Sequence, residues 1–287
     1  MQERVIVSDA TGGCLTAYRL PTWTIQAQTR ELAQPSSLCG RDGWIYCACM
    51  ADACIWRLRG DNLQPVQCYA AGKGIEHICL SRDGRRLYAL LGEADSLLML
   101  DVDAGYPLMS TPVGVHPRDM RLDHSGRWLA VAGGASGSIL MLEADTLRVR
   151  AEYAVDGIAC GVLFGREEML ALCASGDYEL HTVIGGIRPH QGLWHERFTL
   201  PGLPGAFAMS AQGLYVGHLG GIALFQERNG TVIWKLTLRG LPDQLLPIGH
   251  QLCFADRLEG RLGILDATQP QLLRTLRQGE PAGLLLV

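Results

Sequence analysis

A histidine, several carboxylates and an arginine occur at similar places along this chain and could together carry chemistry. The group consists of Glu76, His77, Arg118, Asp119, Asp243 and Gln244. A histidine beside a carboxylate can form a general acid–base pair, and a guanidinium offers a two-pronged donor to a small anion. Each residue lies near the predicted start of a strand in a repeated unit, so we expect the group to meet at one rim and bind a small polar ligand. The alternative is that this rim is polar only because it is wet.

A second group lies within residues 184–198, where the fourth unit of the repeat described below expands. It consists of Arg188, His190, Trp194, His195 and Arg197. Tryptophan together with arginine is typical of protein interfaces, and loops that depart from a regular scaffold often bind partners. The sequence therefore predicts a partner-binding loop on the face opposite the first group. The alternative is a solvated loop with Trp194 folded back onto its own unit.

Ten cysteines raise the question of metal binding or disulfides. The densest group includes Cys47, Cys49 and Cys54, but it lacks the paired C-x-x-C spacing of zinc sites. Free thiols used as small apolar side chains are the simpler interpretation, so no metal is predicted, although zinc near Cys49 stays open. The sequence has no G-x-S-x-G element and no phosphate-binding glycine motif. Motifs therefore assign no catalytic residue and no cofactor.

The composition indicates a folded chain without features for nucleic acid or membranes. Of the 287 residues, 48% are apolar and 19% are charged, and the net charge is −4 with no basic block. A nucleic-acid-binding domain would show a basic patch, and a membrane span would need about 18 consecutive apolar residues. The N-terminus lacks the basic and apolar regions of a signal peptide. These features favour a cytoplasmic protein whose partner is another protein or a small polar ligand.

Two adjacent stretches of the chain repeat one pattern, and this pattern sets the positions of both groups. A turn at Ser81-Arg-Asp-Gly precedes two apolar runs, and a step of 42 residues from Ser81 leads to the matching turn at Asp123-His-Ser-Gly. A repeat of this length with two turns is typical of a propeller blade. Seven such units account for the chain. Their limits are 35–74, 75–116, 117–157, 158–202, 203–240, 241–280, and 281–287 joined with 1–34.

Each unit contains four short apolar runs separated by turn residues. Turn signals about 8 to 12 residues apart mark an all-β fold, and Asp-Gly turns supply the positive φ of tight hairpins. The sequence therefore predicts a single domain, a seven-bladed β-propeller with four-stranded antiparallel blades. The C-terminal strand would pair with the N-terminal strands, because closing the ring removes exposed sheet edges. We expect Leu284–Val287 to be buried.

Aligning the joints between units predicts which side chains face the mouth of the channel. The residue after each strand start should point there. The predicted ring is Ser36, His77, Arg118, Cys160, Gly205, Asp243 and Ala282.

Residues 75–157 resemble the YVTN-type repeat of seven-bladed propellers, which is related to lactonase-like and cytochrome-d1-like propellers. The motifs that carry this resemblance are Ser81-x-Asp-Gly-Arg-x-Leu-Tyr-Ala, Asp95-Ser-Leu-Leu-Met-Leu-Asp and Thr111-Pro-Val-Gly-Val-His-Pro. Because the lactonase-like relatives use charged channel residues in hydrolysis, the resemblance implies a lactonase-like hydrolase of a small polar substrate as one function. The leading expectation is instead a non-enzymatic binding or scaffold protein that contacts its partner or ligand at the channel mouth.

Overall fold

Seven small sheets form the fold. The computed structural model describes residues 3–176, 179–189 and 191–287. Each sheet has four antiparallel strands, and the prediction of an all-β, seven-bladed propeller is confirmed. The part of the chain that the structure describes contains no helix that could span a membrane.

Each blade runs from an inner strand A, beside the channel, to an outer strand D. The chain begins with β1 (Arg4–Asp9), β2 (Cys14–Arg19) and β3 (Thr24–Thr29). Blade 1 contains β4 (Pro35–Arg41), β5 (Trp44–Cys49), β6 (Cys54–Arg59) and β7 (Pro65–Ala70). Blade 2 contains β8 (Ile75–Leu80), β9 (Arg86–Leu91), β10 (Ser96–Asp101) and β11 (Pro107–Pro112). Blade 3 contains β12 (Asp119–Leu122), β13 (Trp128–Ala132), β14 (Ser138–Glu143) and β15 (Val149–Ala154). Blade 4 contains β16 (Ile158–Phe164), β17 (Met169–Ser175), β18 (His181–Arg188) and β19 (Leu193–Pro201). Blade 5 contains β20 (Pro204–Ser210), β21 (Gly213–His218), β22 (Gly221–Phe225) and β23 (Val232–Thr237). Blade 6 contains β24 (Pro242–Ile248), β25 (Gln251–Asp256), β26 (Arg261–Asp266) and β27 (Gln271–Arg277). Blade 7 contains β28 (Pro281–Leu286), followed by β1, β2 and β3.

The inner strands form a closed ring around a channel. Each of β4, β8, β12, β16, β20, β24 and β28 contacts the next in this order, and β28 returns to β4. The last strand closes the ring by pairing with β1, where Val5 lies opposite Leu286 and Val7 opposite Leu284. The predicted closure is therefore confirmed. The expected burial of Leu284–Val287 is wrong, because Leu284, Leu285 and Leu286 are half-buried and Val287 is exposed. The reason is that an inner strand turns one side towards the channel, so that its residues are not fully covered.

The connections between strands lie on two faces of the ring, because neighbouring strands alternate in direction. The A–B and C–D turns lie on one side, which we call the lower face. The B–C turns and the joints from strand D to the next strand A lie on the upper face. The first residues of every inner strand are therefore at the upper end of the channel.

Apolar side chains fill the layers between neighbouring blades. In the layer between blades 1 and 2, Ile55 of one sheet is buried with Leu87 of the other. Full burial of a large aliphatic side chain stabilises the fold by about 1.5–3 kcal/mol. The buried Tyr69 hydroxyl crosses the same layer and donates to the Val102 carbonyl at 2.9 Å. The stability of the ring therefore comes from contacts between blades.

Aspartates in several B–C turns hold the joint that leads into the inner strand. Asp9 accepts hydrogen bonds from the backbone N–H groups of Gly279 and Glu280 at 3.0 and 2.8 Å. The fully buried Asp256 accepts one from the N–H of Leu241 at 3.2 Å. Because buried backbone donors need partners, these aspartates have structural roles.

Blade 4 departs from the other blades at its outer hairpin. The expected loop over 184–198 is wrong, since β18 and β19 pair from His181 opposite Pro201 to Arg188 opposite Leu193. Every C–D ladder contains a bulge, and in blade 4 the pairing continues for four residue pairs beyond it. The other blades continue for one or two pairs. Each residue of a strand adds about 3.3 Å, so this hairpin extends furthest on the lower face.

Candidate functional site at the channel rim

A bulge near the start of the inner strand recurs around the upper rim. In blades 2, 4, 6 and 7 one residue there has no partner in the ladder between strands A and B. The bulged residues are Glu76, Cys160, Asp243 and Ala282. A bulge re-aims its side chain and is common next to active sites. The rim is therefore built from equivalent positions whose side chains differ from blade to blade.

Blade 2 differs by one residue from the predicted ring. The alignment of joints places His77 at the ring position, but Glu76 is the bulged residue and His77 pairs with Leu90. Proline begins the inner strands of blades 1, 5, 6 and 7, whereas Ile75 begins that of blade 2. Without a proline to mark the strand start, the sequence alignment falls one residue too late.

Polar side chains near the strand starts of blades 1 and 3 connect neighbouring inner strands. The Ser37 hydroxyl accepts a hydrogen bond from the backbone N–H of Ile78 in the next blade at 3.1 Å. In the same way, Asp119 Oδ2 accepts one from the N–H of Val162 at 3.1 Å. Asp119 is buried, so its carboxylate holds β12 and β16 together. Its position favours a structural role over catalysis.

His77 lies against Arg121 and Asp119 of the next blade. Arg121 Nη1 is 2.6 Å from His77 Nε2 and 3.0 Å from Asp119 Oδ1. A guanidinium can only donate, so we infer that Nε2 accepts and that the imidazole is neutral with its proton on Nδ1. Burial, together with the Arg121 charge, lowers the pKa of His77 to about 4. The buried Nδ1 has no partner among the residues that the structure describes.

Glu76 and Arg118 form an ion pair across the same seam between blades 2 and 3. Arg118 Nη1 lies 3.7 Å from Glu76 Oε1, and the two side chains are 55% and 32% exposed. A pair this open contributes only about 0–1 kcal/mol to stability. Since a guanidinium has five N–H donors, Arg118 can also bind a ligand.

Asp243 is the bulged residue of blade 6 and lies beside Arg257. Its Oδ2 is 3.2 Å from Arg257 Nε, whereas Oδ1 is buried without a hydrogen-bond partner in the described ranges. Burial raises the pKa of Asp243 to about 6, although the Arg257 charge lowers it in part. Such a carboxylate is ionised at neutral pH and still basic enough to accept a proton. Gln244 follows in β24, where it is half-buried and pairs with Ala255.

The second predicted group lies on the lower face, beside a cleft of about 720 Å³ between blades 4 and 5. Three of its side chains surround the carboxylate of Glu168. The distances are 3.3 Å from Arg197 Nη1, 3.4 Å from His195 Nε2 and 3.8 Å from Arg188 Nε. Trp194 instead packs across Gly185, where an added Cβ would lie 2.2 Å from the indole ring. His190 lies outside the described residues. The structure thus brings Arg188, His195 and Arg197 together, apart from the rim group.

Sequence spacing misses three charged residues of these sites, Arg121, Arg257 and Glu168. Arg121 follows Asp119 by two residues, and the two-residue period of a strand places both on one side. That spacing is a signal for Arg121. Arg257 and Glu168 lie in turns and meet partners from other strands, so no local pattern marks them.

The thiols pack mainly as apolar side chains. Cys49 lies directly opposite Cys54 in the ladder of β5 and β6, and burial raises the pKa of Cys54 and Cys47. All ten cysteines are free. Across residues 3–176, 179–189 and 191–287, no three histidine, cysteine or acidic side chains are grouped so that they could hold a metal ion.

A family model matches the part of the chain that contains four of the predicted rim residues, Glu76, His77, Arg118 and Asp119. The model described as "Lactonase, 7-bladed beta-propeller" matches residues 60–152, which is less than half of the chain. No curated protein sequence gives a significant match. The matched segment spans blade 2 and most of blade 3.

Solved structures of other proteins superpose on most of the chain. A putative 6-phosphogluconolactonase from Bacteroides fragilis is 14% identical, with 100% of this chain and 98% of that one covered and a TM-score of 0.78. Hydrazine synthase from Kuenenia stuttgartiensis is 14% identical, with 89% and 90% covered and a TM-score of 0.80. The dihydro-haem d1 dehydrogenase NirN, in complex with DHE, is 13% identical, with 98% and 74% covered and a TM-score of 0.70. These similarities define the class of this chain, a seven-bladed β-propeller. The finer resemblance to the YVTN-type repeat stays a prediction.

Proposed function

We propose that the protein is a lactonase-like hydrolase that opens a small polar, anionic lactone or ester at the upper rim of the channel. One observation carries the proposal. The segment that matches the lactonase model, residues 60–152, contains both charged pairs at the seam of blades 2 and 3. These pairs are Glu76 with Arg118 and His77 with Arg121. Sequence similarity and a cluster of charged side chains therefore coincide.

In this proposal Arg118 binds the substrate and stabilises the oxyanion. Its side chain is half exposed, and the long contact with Glu76 leaves N–H donors for a ligand. A donor placed at a developing oxyanion typically contributes about 2.7–4 kcal/mol to transition-state stabilisation. Neutral His77 orients Arg121 by accepting its hydrogen bond. Each guanidinium has a carboxylate nearby, Glu76 for Arg118 and Asp119 for Arg121, so an anionic substrate would compete with Glu76 for Arg118.

In this proposal the substrate lies across the mouth of the channel, with Asp243 of blade 6 as the general base and Arg118 three blades away on the other side. With a pKa of about 6, its carboxylate can take a proton from water as the hydroxide adds to the carbonyl carbon. The tetrahedral oxyanion then collapses and the C–O bond of the ester breaks. The proton passes from Asp243 to the leaving oxygen, which gives a hydroxy acid from a lactone, or an acid and an alcohol from an ester. Strongly shifted pKa values cluster at functional sites, which supports this role.

Turnover of a panel of sugar-acid and simple lactones tests the proposal. We expect Asp243→Asn to lower kcat about 100-fold or more, and Arg118→Gln to lower kcat/KM by about 100-fold. The matched control is Arg148→Gln, an exposed arginine on the lower face, which should leave turnover unchanged. If the wild-type protein hydrolyses no member of the panel above background, the proposal is wrong. The non-enzymatic binding role, with its protein or small-ligand partner and a cytoplasmic location, would then be the function to test.

A further inference from the structure

We propose that the cleft between blades 4 and 5 on the lower face binds a second small molecule that carries an oxyanion, independently of the hydrolase site. Its volume of about 720 Å³ lies within the range of about 300–1,000 Å³ for small-molecule sites. The A–B turns and C–D hairpins of two neighbouring blades form its walls. Four guanidinium groups line it, those of Arg166, Arg188, Arg197 and Arg228, together with the imidazole of His195.

The cleft offers more hydrogen-bond donors than the protein itself uses. Each guanidinium presents five N–H donors in a planar fork that suits phosphate and carboxylate oxygens. Within the described residues, these four guanidinium groups make one hydrogen bond, from Arg197 Nη2 to the Arg228 carbonyl at 2.8 Å. The side-chain donors of Arg166 and Arg188 have no such partner there. Arg166 and Arg188 are 82% and 59% exposed, so an oxyanion would replace water on their donors.

Four arginines and four glutamates line the cleft, and two of the guanidinium groups share the single carboxylate of Glu168. The Glu168 side chain is 11% exposed and has nitrogen atoms of Arg188, His195 and Arg197 within 4 Å, yet Oε2 makes no hydrogen bond in the described part of the chain. Glu227 is matched by Arg166, whose Nε lies 3.6 Å away. The other two carboxylates of the lining, Glu167 and Glu196, are exposed, and water and salt screen them as they screen the exposed Arg166 and Arg188. One buried carboxylate thus faces Arg188 and Arg197, with His195 as a third donor.

The long hairpin of blade 4 positions Arg197 before any ligand binds. Arg197 is the bulged residue of this hairpin, between the pairs formed by Ile184 and Gly185. A bulge re-aims its side chain, and the Arg197 side chain is only 11% exposed beside Glu168. The packing of Trp194 across Gly185 fixes the two strands to each other. Since a fixed site loses little freedom on binding, this arrangement favours affinity.

Calorimetric titration of the full-length protein with inorganic pyrophosphate at low salt tests the proposal. We expect saturable one-to-one binding that Arg188→Gln weakens about tenfold or more, because a charge-assisted hydrogen bond is lost. Arg148→Gln, an equivalent charge removal elsewhere on the lower face, should leave the affinity unchanged. Arg188 is 59% exposed, so its replacement should not prevent folding.

Three results would overturn the proposal. They are no saturable binding at millimolar pyrophosphate, equal weakening by Arg188→Gln and Arg148→Gln, and binding that only Arg118→Gln weakens. The last result would assign pyrophosphate to the upper rim. Lactone turnover by Arg188→Gln separates the two proposals, because we expect it to equal that of the wild type whether or not pyrophosphate binds.

Discussion

Replacing His77 with glutamine should make the protein more resistant to mild acid. In the folded protein, burial and the Arg121 charge lower the pKa of His77 from 6.5 to about 4. The unfolded chain therefore binds a proton near pH 6.5, and the folded chain does so only near pH 4. Stability that depends on neutral His77 is complete above about pH 6.5 and is lost as the pH falls through about 4.

The size of this effect follows from the pKa change. Each pKa unit corresponds to about 1.36 kcal/mol, so a change from 6.5 to about 4 is worth about 3 kcal/mol of unfolding free energy. Protonation would also remove the acceptor that Arg121 Nη1 uses at 2.6 Å. A glutamine can offer a carbonyl oxygen in that place and does not titrate.

Urea unfolding of the wild type and His77→Gln between about pH 7.5 and pH 4 measures the effect. We expect the wild type to lose about 3 kcal/mol relative to the variant over this range. The difference between the proteins isolates His77, because the opposite contribution of Asp243 is present in both. If the two pH profiles run parallel, the contact between neutral His77 and Arg121 is refuted.

Two other side chains give predictions that need no substrate. Burial raises the pKa of Asp243 from 3.8 to about 6. Protonation of Asp243 therefore stabilises the folded protein fully below about pH 3.8, and this stabilisation is lost as the pH rises through about 6. Asp243→Asn should therefore raise the unfolding free energy by up to about 3 kcal/mol near pH 8 and have little effect near pH 4, which urea titration at both values can check. Cys68 is the exposed cysteine among ten free thiols, so iodoacetamide should modify it first. Peptide mass mapping that finds a buried thiol modified earlier would contradict the packing of blade 1.

The repeat in residues 75–157 predicts the fold because hairpin turns and strand periods are local properties of a sequence. Asp-Gly and Ser-Gly turns recur with apolar runs between them, and no tertiary contact is needed to recognise them. Ring closure by β28 and β1 is also predictable, since a short apolar strand at the end of a chain needs a partner. The partial exposure of β28 arises because this inner strand borders the channel. The sequence pattern of the strand does not show that a channel lies beside it.

The candidate sites are less predictable because they depend on contacts between blades. Ile75 stands where other blades have proline, so the sequence places the ring position of blade 2 one residue too late. The expansion of the fourth unit suggests a loop over 184–198, but the absence of a side chain at Gly185 makes room for Trp194 on a paired strand. The approach of Arg121 to His77 joins two blades, and no spacing within one blade encodes it.

The pH dependence of lactone hydrolysis tests the central claim most directly. For a lactone that the wild type turns over, kcat/KM should rise with pH and level off with an apparent pKa near 6, the value raised by burial of Asp243. In Asp243→Asn this titration should disappear and the rate at neutral pH should fall about 100-fold. A wild-type profile without an inflection near pH 6, or full activity in Asp243→Asn, would contradict the assignment of Asp243 as the base at the channel rim.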